Sequence, residues 1–171
     1  MGGDFYKLDC YIQIQPFLMS FPFSIKYSAT LVEKVNPPDY PIVLQFISDF
    51  IISKPAKDIV IEYNSLSFKA GSAWSNWNIM QTIDRGVFRL EEKEGDVILT
   101  YEFFMYKLFI YTSMMALAMG VVSQEIWAGV GAFLWLCGMN WVIGAMRHRG
   151  LLDELAADID SFINEKMAGV R

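Results

Sequence analysis

Two cysteines, one histidine and no long glycine/serine run leave little from which to build a stapled, metal-bound or loosely tethered protein. Cys10 lies near the N-terminus and Cys137 lies inside an apolar stretch, so an intrachain disulfide is not expected and no oxidising compartment is implied. The single histidine, His148, follows Cys137 by eleven positions, about 16 Å along a continuous helix, too far for a Cys-His pair. No Walker A or dinucleotide glycine fingerprint occurs, and no nucleophile-elbow sequence accompanies His148. Basic residues are also outnumbered, with 14 Lys and Arg against 19 Asp and Glu. Nucleic acid is therefore not an expected partner, because phosphate binding needs a basic face. Residues 1–15 lack a charged segment followed by a continuous apolar one and do not read as a secretory signal, and Tyr6 stands where a myristoylation motif wants Ser or Thr. No catalytic residue, cofactor or metal site is predicted.

What the chain does have is two apolar stretches, Phe103 to Val122 and Ile126 to Met146, separated by Ser123, Gln124 and Glu125. Each holds about the twenty residues that cross a hydrocarbon core, and the short connection makes them antiparallel neighbours. The second stretch contains no charged residue. Lys107, Arg147 and Arg149 lie at the open end of the hairpin, and the tip carries only Glu125. By the positive-inside rule both chain ends face the cytoplasm, the inner membrane if the source is bacterial. Lys107, Trp127, Trp141, Arg147, His148 and Arg149 are the expected membrane-interface residues, with Lys107 releasing its ammonium to the headgroups. Gly131, Gly138 and Ala145 recur every seven positions, and Ala116 and Gly120 are four apart, so these small residues are expected to pack the helices together. Asn140, deep in the second stretch, is expected to bond across the helices.

The first 102 residues read as a small α+β domain with nine basic and thirteen acidic residues. Period-two alternation marks a strand at Tyr11 to Gln15 and another from Phe23 to Leu31. Two hairpins follow, one from Ile59–Tyr63 with Leu66 and Phe68, the other from Val87–Glu91 with Val97–Phe103 around the turn EKEGD. The spacing of Val43, Phe46, Ile47, Phe50 and Ile51 predicts one amphipathic helix over Tyr40 to Ile52, covering a mostly antiparallel sheet. Trp74 and Trp77, set among serines and asparagines, are a candidate ligand or interface site. Residues 147–171 predict a separate acidic amphipathic helix with the apolar stripe Leu151, Leu152, Leu155, Ile159, Phe162 and Ile163, suited to docking on the soluble domain or a partner.

The expected organisation is thus 1–102 cytoplasmic domain, 103–146 transmembrane hairpin (103–122 and 126–146) and 147–171 tail helix. Its expected role is a non-enzymatic accessory, scaffolding or regulatory subunit that meets membrane lipids and either other membrane subunits or further copies of itself. The alternative is a lipid or hydrophobic-ligand binding module. The order strand, helix, antiparallel strands, long helix is similar to the START-like helix-grip arrangement, which implies an apolar cavity behind the Tyr40–Ile52 helix.

Overall fold

A computed structural model of the chain describes residues 23–54, 56–70 and 83–168. Tyr11–Gln15, Trp74 and Trp77 lie outside them. The elements are β1 (Ser24–Thr30), a 3₁₀ turn (Pro37–Asp39), α1 (Tyr40–Ile52), β2 (Ala56–Ile61), β3 (Ser65–Ala70), β4 (Arg85–Lys93), β5 (Asp96–Phe104), α2 (Tyr106–Ser123) and α3 (Ile126–Ala168). The strands form one antiparallel sheet in the order β1-β5-β4-β3-β2, an α+β architecture.

Local chemistry accounts for several of the turns and boundaries. Pro37 and Pro38 fix the chain ahead of α1, and α1 coincides with the predicted span. The β4–β5 hairpin pairs Lys93 with Asp96, leaving Glu94 and Gly95 as a two-residue turn with φ of 58° and 90°. Positive φ at both positions matches the twist of the flanking strands. In β2 the pairing register shifts between Lys57 and Val60, where Asp58 takes a φ of 51° and pairs with Lys69 at 2.9 Å.

One face of the sheet carries the core. Val97, Leu99, Tyr101 and Phe103 alternate along β5, flanked by Phe88 and Leu90 of β4 and Leu66 and Phe68 of β3. Phe88 and Tyr101 stack with ring centroids 4.3 Å apart, 8° from parallel, and Phe68 stacks on Phe88 at 6.0 Å. Each such ring, taken from water, contributes about 1.5–3 kcal/mol. A Cβ at Gly86 would run into the Phe68 ring, so glycine is what lets that ring lie on the backbone. Val43, Leu44, Ile47 and Ile51 of α1 cover this face together with Leu151, Leu152, Leu155 and Ile159 of α3.

Two element boundaries differ from the sequence expectation. Phe103 and Phe104 belong to β5, Phe103 being fully buried, and α2 starts at Tyr106. The apolarity of a buried strand runs on without a break into that of the helix. The tail helix is not separate either. α3 continues through Arg147, His148, Arg149 and Gly150 for 43 residues, because nothing in that segment, glycine included, forces the backbone out of helix.

Candidate functional site: an apolar hairpin seated on the sheet

α2 and α3 form a hairpin in which only Gln124 and Glu125 lie outside helix. Gln124 takes a left-handed φ of 56° and caps α2, its N–H donating to the Val121 carbonyl, while the Ala128 N–H donates to the Glu125 carbonyl. Both helices are long and apolar enough to cross a membrane, and little of either apolar segment is covered. Val122 is 82% exposed, Trp127 79% and Leu117 71%.

The contact between the helices is narrow and made of small groups. Thr112 and Ala116 are buried on α2, and Gly129 and Cys137 on α3. A Cβ on Gly129 would stand 2.8 Å from the Ala116 carbonyl oxygen and 3.3 Å from the Gly120 Cα, so the two backbones touch here. Ala116 and Gly120 thus lie in the seam. Gly131 and Gly138 do not, since a Cβ on either meets nothing within 4 Å. The glycine that makes the close contact, Gly129, was missed. The available signal was position, because Gly120 and Gly129 stand almost equally far from the tip. Asn140 does not bond across the helices. It is exposed and donates to the Leu136 carbonyl of its own helix at 2.6 Å.

On α3 the inward stripe continues past the hairpin without changing face. Gly129, Cys137, Gly144 and His148 lead into Leu151, Leu155 and Ile159, spaced three, four, seven or eight apart. Where the stripe reaches the sheet, Tyr27 donates from its hydroxyl to the Ala145 carbonyl at 3.2 Å, and His148 Nδ1 and the Tyr101 hydroxyl share a hydrogen bond of 3.0 Å. His148 is fully buried, with its ring 4.4 Å from that of Phe103. An interfacial headgroup contact for His148 is therefore corrected: the side chain points into the core between sheet and helix. Burial holds the Tyr101 phenol well above its ordinary range, and it also raises Tyr27, an effect that the positive Arg149 offsets in part. A histidine and tyrosine closed off from solvent act here as a lock between two elements.

A second joint surrounds the start of α2. The Lys107 N–H donates to Asp84 at 2.9 Å, and the Lys107 ammonium lies 3.2 Å from the other oxygen of the same carboxylate. Lys107 is thus ion-paired to the sheet domain. Phe23 stacks on Tyr106 and meets Phe109 edge-on, and Arg85 lies 4.1 Å over the Phe104 ring. Trp141 is half-buried against the domain core, whereas Trp127 stands exposed next to the tip. A third clamp holds the chain after β1, where Asp160 accepts from the Val32 and Glu33 N–H groups at 3.1 to 3.2 Å. Among the described residues no group of three His, Cys, Asp or Glu side chains is placed to hold a metal ion.

No family model, no curated protein and no solved structure matches this chain.

Proposed function

We propose that this protein is a non-enzymatic, membrane-anchored accessory subunit. The α2–α3 hairpin crosses the bilayer, and the sheet domain stands on its surface to engage or position other membrane subunits. The observation that carries the reading is the contrast within one continuous helix. From Leu151 to Ile159 the inner face of α3 is sunk in the core, whereas between Ile126 and Met146 most of its large side chains are bare, Leu134 and Trp135 being 65% and 68% exposed. An apolar surface of this extent is satisfied by lipid or by another protein. Lys107, Arg147 and Arg149 cluster at the sheet end and Glu125 sits at the tip, which supports a cytoplasmic sheet domain. Trp127 supplies the amphipathic ring suited to the opposite interface.

The experiment is extraction from the native membrane in mild detergent, followed by native mass spectrometry. Retention in the membrane through alkaline washing and release as a stoichiometric complex with other subunits is the expected result. Release by alkaline washing refutes the anchor. A membrane-retained chain that flies as a bare monomer refutes the accessory role and leaves the anchor standing.

A further inference from the structure

We infer that the outer groove between α1 and the end of α3 is a binding site for a single-chain anionic amphiphile, of the fatty-acid or lysophosphatidate kind. This goes beyond the accessory role and rests on the membrane anchoring proposed above. Val35, Ile42, Val43, Phe162 and Ile163 line a depression of about 350 Å³, and a second depression of about 350 Å³ shares Ile42 and Phe162 with it. The two adjoin at Ile42 and Phe162, and we treat them as one trough, with the Phe162 ring stacked on Phe46 at a centroid distance of 4.8 Å where they meet. The trough is separate from the buried face of α1, where Leu44, Ile47 and Ile51 are fully enclosed.

Its two ends differ in charge. Lys34 and Lys166 border the first depression, and neither forms an ion pair among the described residues. The Lys166 ammonium lies 5.7 Å over the Phe162 ring, which holds it at the mouth. Among the lining residues Asp39 is the one acid, so the rim carries two ammonium groups against one carboxylate, and the nearby Asp160 carboxylate is engaged by the Val32 and Glu33 amides. At the far end Gln45 donates to Asp49 at 3.1 Å, closing the trough with a group that repels anions.

One anionic head and one long uncharged tail match this polarity. An acidic peptide does not, because charges along its length would meet Asp39 and Asp49 as well as the lysines. Position narrows the class further. Phe162 lies sixteen residues beyond Met146, about 24 Å along the helix from the end of the apolar stretch. A diacyl lipid held in a bilayer does not reach that far, whereas a single-chain amphiphile leaves the bilayer readily enough to be taken up there.

The test uses the full chain in nanodiscs with a photoreactive palmitate analogue, mapping the crosslinks by peptide mass spectrometry. The expected result is labelling of residues 34–46 and 159–166, lowered about tenfold, or 1.4 kcal/mol, in the charge-reversed double variant Lys34→Glu, Lys166→Glu. The uncharged hexadecanol analogue should label the same peptides far more weakly. Ile163→Trp, which fills the trough without touching charge, should also remove the label, and circular dichroism checks that each variant stays folded. Unlabelled palmitate or lysophosphatidate should compete, the stronger competitor naming the preferred head group. Labelling confined to 106–146, equal labelling by the alcohol, or labelling unchanged in both folded variants overturns the assignment.

Discussion

Replacing Gly129 by alanine should open the hairpin, while the same change at Gly131 or Gly138 should not. A Cβ at 129 would face the Ala116 carbonyl oxygen at 2.8 Å and the Gly120 Cα at 3.3 Å. Both obstacles are backbone, so they are relieved only when the helices part. Overpacking of this kind costs about 1–3 kcal/mol, against which the better helix propensity of alanine returns about 1 kcal/mol. A net loss near 1 kcal/mol follows, at the upper end about 2. At 131 and 138 a Cβ meets nothing within 4 Å, so the propensity gain stands alone. Cys137, buried on the inner face of α3, reports the opening directly. In a Cys10→Ser background its thiol reacts with maleimide in proportion to the open population, and 1.4 kcal/mol is about a tenfold change in that population. Gly129→Ala should therefore label about five- to tenfold faster, and Gly131→Ala and Gly138→Ala no faster than the parent. Equal rates in all three variants would refute the seam, and acceleration at 131 and 138 alone would transfer the close contact to that stripe.

Tyr101→Phe should cost about 1–3 kcal/mol at neutral pH by taking the shared hydrogen bond from buried His148. It should also flatten the alkaline limb of the stability profile. The folded state keeps the Tyr101 proton that the unfolded chain releases near pH 10.0, so this contribution is complete below that value and is lost as pH rises above it. Denaturant titrations from about pH 8 to about pH 11 check both effects. Asp160→Ala should free the chain after β1, with faster hydrogen exchange at the Val32 and Glu33 amides and a loss of about 1.5–3 kcal/mol, as for hydrogen bonds to a charged group. Gly95→Ala, at φ of 90°, should destabilise the β4–β5 hairpin by about 1 kcal/mol, and Glu94→Asn should stabilise it, both read from thermal melts.

Legibility in the sequence followed the range of the interactions. α1 was readable to its ends because Val43, Phe46, Ile47, Phe50 and Ile51 keep helical spacing and prolines stand outside both ends. β1 was readable because Ile25, Tyr27 and Ala29 alternate toward one face. The start of α2 was not, since a strand buried in a core and a helix built for an apolar surround use the same residues. The long-range joints were hidden for a different reason. His148 finds Tyr101 across 47 positions, and among Arg147 and Arg149 it reads as part of a cationic patch that meets lipid headgroups. At Gly150 the composition changes because the surroundings change from bare to packed, and the helix runs through. Asn140 carries no local mark of which way it points. Trp74 and Trp77 lie outside the described residues.

The uninterrupted course of α3 has a mechanical meaning. Forty-three residues in one helix span about 64 Å, with no loop between the bare half and the half bolted to the sheet by His148, Leu155 and Asp160. Such a rod behaves as a lever. Bilayers of different thickness impose different tilts on a helix of fixed apolar length, and a tilt of about 10° carried over the 25 Å or so beyond the apolar stretch displaces its far end by roughly 4 Å. The α1–α3 end of the domain would swing with it. With the hairpin anchored in a bilayer, as proposed above, α3 would carry the thickness of that membrane, as a displacement, to a surface well outside the lipid.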